Sequence, residues 1–368
     1  MQVEFIDLKA RYKDEQKELD ECFHRILSKG HLVLTEELKD LENNVCEYTG
    51  SKYCLGLNSG TDALMIALWA LGIGKDDEVI IPAISFFATA GAVAHVGATP
   101  RFCEVTSDYN IDTLYAESLI NERTKAIMPV HWAGKTADIN DLQILCKKND
   151  LILIEDSAQS MGASFNGRHP GTFGVAGGIS CHPLKNLNGV GDAGMLLTSS
   201  EAVYEKARRY RNHGMVERDK AEIFGVNSRM DSLNAEIIKY RLTKLDEVVS
   251  KRNDNVKLYK ELLQIDEVQY SSDAIGSNID TQVMFIVTAE RRDDLKEYLK
   301  KKGIETLVYY GTPLHLHEAS RPFSKGRGSL PVSEKICSSV LALPHHQYLS
   351  DEQIQYVCEN VKAFYAGS

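Results

Sequence analysis

A chain of 368 residues with 43% hydrophobic side chains is long enough to bury a large core and to form one larger and one smaller domain. Its formal net charge of −10 argues against a nucleic-acid or anionic-membrane partner, while leaving room for a local basic pocket around a phosphorylated ligand. No stretch reaches the ~18 apolar residues of a membrane span, residues 1–8 show no basic leader, and the eight cysteines form no Cys-x-x-Cys pair, so a cytoplasmic protein with reduced thiols and no metal is expected.

From Tyr53 to about residue 198, short apolar runs rich in β-branched residues alternate with helical patterns, which predicts a mostly parallel sheet with crossover helices. Strands are expected at 53–57, 78–81, 99–105, 125–130, 151–155, 178–182 and 195–198. Helical periodicity is clearest at Ala63, Leu64, Ala67, Leu68 and Leu71, and again over 231–262. That second stretch reads as the connection to a smaller domain with a strand at 282–288, a helix at 291–301, a strand near 304–308, a loop over 314–331 and a helix after Ser350. The fold class is therefore α/β, with a large ligand-binding domain at 1–245 and a small C-terminal domain at 246–368. There is no internal repeat.

Strands that run in parallel end on one edge of the sheet, so the loops after them converge on a crevice where ligands bind. After the first strand, Asn58-Ser59-Gly60-Thr61-Asp62 opens a helix whose free amides either attract phosphate or are simply capped. After the second, the segment 82–89 sets an aromatic at the mouth: Phe86 is assigned to stacking on a planar ligand and Phe87 to core packing. Asp156 follows the apolar run Leu151-Ile152-Leu153-Ile154, and a buried aspartate needs a partner, either a protonated pyridine nitrogen or the start of the next helix. Lys185 lies in Ser180-Cys181-His182-Pro183-Leu184-Lys185, on the turn after a later strand. A lysine amine forms a Schiff base with an aldehyde, and an acid keeps a pyridine ring electron-accepting, so the pair reads as a site for pyridoxal 5'-phosphate. The amine must be partly desolvated for this. Gln159 is a candidate donor to the cofactor's phenolic oxygen and Ser180 to its phosphate, while Cys181 reads as a small strand residue.

Taken in order, Ser59-Gly60-Thr61-Asp62-Ala63-Leu64, 82–89, Glu155-Asp156-Ser157-Ala158-Gln159, 180–187, Gly191-Asp192-Ala193-Gly194, Arg211-Asn212-His213-Gly214 and 225–231 resemble the sugar aminotransferases of the DegT/DnrJ/EryC1/StrS family over nearly the whole chain. The resemblance implies fold type I, with a large three-layer domain around a mostly parallel sheet and a smaller C-terminal α/β domain. It implies that Lys185 forms the Schiff base, Asp156 pairs with the pyridine nitrogen, Phe86 stacks on the ring, Gly60, Thr61 and Ser180 hold the phosphate, and Gln159 holds the ring oxygen. Asn227 would complete the neighbouring subunit's phosphate site and Arg229 would approach the amino-acid carboxylate, so a homodimer with composite sites is implied. Some relatives are dehydratases with histidine at the lysine position; Lys185 favours transamination, and His182 is read as a pocket wall or packing residue. Thr35 stands where relatives usually have glycine and Tyr309 where many have histidine, and both segments border the acceptor side. His315, Arg321 and His346 are further pocket candidates. The implied reaction moves an amino group from glutamate to a keto-deoxysugar, nucleotide-linked as in most of the family, for a surface polysaccharide such as lipopolysaccharide or a glycosylated metabolite. A free keto sugar acid of the 8-oxo-3,8-dideoxy-octulosonate type is the alternative acceptor. A pyridoxal phosphate lyase or dehydratase and a cofactor-binding regulator are the readings of other classes.

Overall fold

The computed structural model describes residues 1–367. Its centre is a sheet of seven strands: β1 (Tyr53–Leu57), β2 (Glu78–Pro82), β3 (Thr99–Cys103), β4 (Thr124–Ile127), β5 (Ile152–Asp156), β6 (Ala176–Ser180) and β7 (Gly194–Thr198). Their spatial order is β1-β7-β6-β5-β4-β2-β3. Only β7 runs against its neighbours β1 and β6; the other pairings are parallel. All seven expected strands are present. The expected 178–182 lies two residues late, because Gly177 and Gly178 are pressed against Gly171 and Leu64 and carry no side chain that could reveal an apolar pattern. The expected 125–130 overruns β4, beyond which Val130 makes only an isolated bridge to Asp156.

The sheet is buried on both faces, and its alternating side chains fall into different cores. Leu55, Leu57 and Leu196 join the cluster under helix Gly60–Ala70. Cys54, Ile179, Met195 and Leu197 join the opposite one, with Leu38, Leu41 and Ile238. The result is a three-layer arrangement. Helices Leu8–Lys29 and Glu36–Thr49 were not expected from the sequence. In the first, only Arg11, Cys22 and Ile26 are buried, so its apolar stripe is too sparse to read. It starts on Asp7, whose Oδ1 accepts from the Ala10 amide at 2.7 Å, and ends on Gly30 at φ 69°.

The helical stretch expected over 231–262 is two helices, Ser232–Leu242 and Leu245–Leu262. A short ribbon of β8 (Met215–Glu217) and β9 (Lys220–Ala221) precedes them. A second, antiparallel sheet follows, ordered β10 (Val268–Tyr270), β11 (Phe285–Ala289), β12 (Val340–Leu343). Its core includes Tyr259, Phe285, Leu295 and Ile354, together with Val3 from the start of the chain. The strand expected near 304–308 is reduced to isolated bridges, Val3 with Ile304 and Leu307 with Ala342. The loop expected over 314–331 contains the short helical turns Leu314–Leu316 and Glu318–Phe323. Ile84, Val130 and Trp132 meet Val283, Met284 and Ile286 in a further cluster that joins the two sheets. Among the described residues, no helix is long and apolar enough to cross a membrane.

Because β1, β2, β5 and β6 point the same way, residues 58–61, 83–86, 157–159 and 181–185 gather at one edge. The seat of the first of these depends on two glycines. A Cβ on Gly60 would lie 2.9 Å from Ser180 Cβ, and one on Gly194 would collide with the Ser59 and Gly60 backbone. Gly194→Ala is therefore expected to cost about 1–3 kcal/mol, measured by urea unfolding; an unchanged midpoint would mean that the loop has room to move.

Candidate active site

At this edge lies a cleft of about 290 Å³ that brings together Gly60, Thr61, Phe86, Asp156, Gln159, Ser180, His182, Lys185 and Tyr309. Asp156 ends β5 and is only 4% exposed. Thr89 Oγ1 donates to its Oδ2 at 2.6 Å, and the Ala158 amide donates to its Oδ1 at 3.2 Å. Burial pushes this carboxyl above its ordinary value, while those hydrogen bonds and the charge of Lys185 pull it back. The preceding Glu155 is wholly buried and fixes the strand end, accepting from the amides of Gly171 (2.8 Å), Phe173 (2.7 Å) and Gly174 (2.7 Å) and lying 3.0 Å from His131 Nε2.

Lys185 sits on a turn closed by its own amide, which donates to His182 O at 2.9 Å. Burial lowers its amine to about 8, opposed by the attraction of Asp156. The turn is held from behind by groups with no sequence signal. Asn188 Nδ2 donates to the carbonyls of Lys185 (2.8 Å) and Asn186 (3.1 Å). Asn188 Oδ1 accepts from Arg11 Nη1 (2.9 Å) and Arg241 Nη1 (2.7 Å), and Arg11 also reaches Pro183 O at 2.7 Å. Arg241 is neutralised by Glu15 at 2.6 Å.

At the other end of the cleft, Ser59 caps the helix by accepting from the Asp62 amide at 3.1 Å. The first intrahelical bond is that of Ala63 to Ser59, so the amides of Gly60 and Thr61 precede it and are free to bind an anion. Gln159 Oε1 accepts from the Ala133 amide at 2.9 Å, which leaves its NH2 group to donate. His182 stands at the cleft edge, where partial desolvation of its ring lowers its basicity. Phe86 stands half-exposed at the mouth, its ring centroid 6.1 Å from that of Tyr310. Phe87 does not pack in the core as expected: it is equally exposed and lies edge-on to His317 at 4.4 Å.

The remaining candidates lie outside the cleft lining. Asn227 is exposed, its Oδ1 accepting from Arg229 Nε at 2.9 Å, and Arg229 also donates to Asn212 at 3.1 Å. His315 is buried with Nε2 3.1 Å from Glu334 Oε1. His346 is buried, and burial together with the charge of Arg252 holds its ring at about 4. Arg321 pairs with Glu318 at 3.2 Å on the surface, and Thr35 Oγ1 lies 2.8 Å from Ser232 Oγ.

A buried carboxylate, a depressed amine, an aromatic at the mouth and an open helix start around one cleft fit pyridoxal phosphate at each of its functional groups. The sequence pattern of the DegT/DnrJ/EryC1/StrS aminotransferase family matches residues 13–362. The pleiotropic regulatory protein of Geobacillus stearothermophilus is 35% identical over 368 residues, which cover 99% of both chains. The dTDP-3-amino-3,4,6-trideoxy-alpha-D-glucose transaminase of Streptomyces venezuelae is 36% identical, with 98% of this chain and 95% of that one covered. The crystal structure of S. venezuelae DesV in complex with a ketimine intermediate superposes with a TM-score of 0.96 at 35% identity, covering 99% of this chain and 98% of that one.

The amine gains its neutral form as pH rises through its folded value. Trapping of Lys185 by a small aldehyde and borohydride in the cofactor-free chain should therefore have its midpoint near pH 8, against the 10.5 of an ordinary lysine. A midpoint near the latter would contradict its desolvation.

Proposed function

The chain belongs to the DegT/DnrJ/EryC1/StrS aminotransferase family, and we propose that it carries an amino group from glutamate to a keto-deoxysugar linked to a nucleoside diphosphate. It is a pyridoxal phosphate-dependent sugar aminotransferase. The observation that carries the transaminase reading is the presence of Lys185 and Asp156 on one cleft, each perturbed by burial and each opposing the other's shift.

When bound, the cofactor supplies the aldehyde that amines add to and the electron sink that stabilises a carbanion. Asp156 would hold the pyridine nitrogen protonated, Phe86 would cover the ring, and Gln159 would donate to the ring oxygen. Gly60, Thr61 and Ser180 would bind the phosphate. Nζ of Lys185, with its pKa near working pH, would take the proton from the donor's α-carbon and deliver one on the sugar side. Presenting each substrate in turn to the same fixed base makes the proton transfer of each half an aligned, effectively intramolecular step.

The nucleotide-linked acceptor is supported by the name of the Streptomyces venezuelae relative, which acts in the dTDP-linked series. Of the two departures on the acceptor side, Tyr309 lines the cleft and meets Phe5 at 6.0 Å, whereas Thr35 lies outside it. We take the active unit to be a homodimer. Asn227 and Arg229 lie beyond their own cleft, and the segment just after them meets exposed Leu32, Val33 and Leu34: Val33 bridges Asp231, and the Ser232 amide donates to Leu32 O at 3.0 Å. Phe224 nearby in sequence is fully exposed. A second copy covering these apolar residues would make composite sites, in which the family resemblance implies Asn227 at the phosphate end of the partner's cleft and Arg229 at the donor carboxylate. The two sheets with separate cores support a cofactor domain at 1–245 and a smaller domain at 246–368, save that Val3 packs into the smaller one. A cytoplasmic location and a product destined for a surface polysaccharide such as lipopolysaccharide or for a glycosylated metabolite complete the reading.

With glutamate as donor and a panel of nucleotide-linked and free keto-sugars, the wild type should aminate a nucleotide-linked member. Lys185→Ala should fold but show no multiple turnover with any of them. Turnover confined to a free keto sugar acid would overturn the acceptor, and multiple turnover by Lys185→Ala would overturn the role of the lysine.

A further inference from the structure

Behind Asp156 the hydrogen bond from Thr89 continues to a second hydroxyl, that of Ser85. Thr89 is wholly buried in the first turn of helix Phe87–His95, with Oγ1 2.6 Å from Asp156 Oδ2 and 2.6 Å from Ser85 Oγ. Ser85 is 4% exposed and lines the cleft. A hydroxyl has one proton to give, and an ionised carboxylate only accepts. Thr89 must therefore donate to Asp156, and the contact between the two hydroxyls must be one in which Ser85 donates and Thr89 accepts. The charge at the end of the chain fixes the order of its protons, and that order in turn favours the charged form. A hydroxyl–carboxylate bond of this length belongs to the strong, charge-assisted class. The start of the helix that carries Thr89 adds a dipole of the same sense.

We infer that Thr89 and Ser85 are positioning residues for Asp156: donating in series toward Oδ2, they hold its carboxylate ionised and fixed in rotation, so that a pyridine nitrogen bound against it keeps its proton. This rests on the pairing of Asp156 with the pyridine nitrogen proposed above. Burial alone would drive Asp156 toward its neutral form, and Thr89 is the largest of the groups that counteract it.

The test uses holoenzyme loaded with pyridoxal phosphate labelled with nitrogen-15 in the ring, in the wild type and in Thr89→Val, Thr89→Ser, Ser85→Ala and Asp156→Asn. The ring-nitrogen chemical shift reports protonation independently of turnover, and dialysis of the cofactor gives its affinity. Thr89→Val should move the shift toward that of an unprotonated pyridine and weaken cofactor binding roughly tenfold. Ser85→Ala should move it the same way by less, and Thr89→Ser, which keeps the hydroxyl, should restore the wild-type value. A wild-type shift in Thr89→Val overturns the inference; if that variant does not fold, a wild-type shift in Ser85→Ala does so. Asp156→Asn separates the two claims. A ring that stays protonated there sinks the assignment of Asp156 itself, whereas a ring that loses its proton there but not in Thr89→Val sinks only the role of the hydroxyls.

Discussion

Asp156 and Lys185 attract one another in a place where burial works against both charges. Burial raises the carboxyl and lowers the amine to about 8, and each group partly restores the other. Neither can be moved to solvent without losing what makes it useful: an exposed lysine is almost wholly protonated at neutral pH, and an exposed aspartate makes a weak partner for a pyridinium. The remaining features of the cleft serve to hold this pair in register.

Two kinds of support do this. At the aspartate, Glu155 anchors the end of β5 through three amides and His131, while Thr89 and Ala158 occupy the carboxylate itself. At the lysine, the turn is held by Asn188, whose side-chain carbonyl oxygen is shared by two arginines far apart in the chain. Arg11 and Glu15 lie on the same helix, Leu8–Lys29, and Arg241 on Ser232–Leu242, so the first helix both touches the turn and neutralises Arg241. Because its outer face carries exposed Leu8, Tyr12, Phe23 and Leu27, the first helix links the lysine turn to an apolar surface. Removing any one partner from such a buried network leaves an unsatisfied donor or acceptor, which is why its members act as a unit.

Much of this was legible in the sequence, for physical reasons. Buried parallel strands are apolar on both faces and end in loops that carry chemistry, so β1 to β7 and the cleft residues Gly60, Phe86, Asp156, Ser180 and Lys185 stood out by composition and order. What escaped had no such signal. Arg11 and Arg241 are two ordinary helical arginines until the fold brings them to Asn188. Ser85 and Thr89 stand four residues apart, a spacing that a helix start makes adjacent, yet nothing marked Thr89 as the donor to Asp156. Phe87 looked like core because its neighbours are apolar, and it is turned outward at the first residue of its helix. His315 and His346 drew attention as titratable groups in the C-terminal part of the chain, and the fold buries both outside the cleft lining, one against Glu334 and the other beside Arg252.

The visible absorption spectrum of the purified holoenzyme tests the central claim most directly, recorded before and after glutamate and again after a nucleotide-linked keto-deoxysugar is added. The account predicts a lysine-dependent visible band that bleaches with glutamate and returns with the sugar, since the amino group must leave one partner before it reaches the other. A band that glutamate leaves unchanged would contradict the donor assignment, and a protein that forms no band with pyridoxal phosphate would contradict the reading of Lys185 and Asp156 as its site.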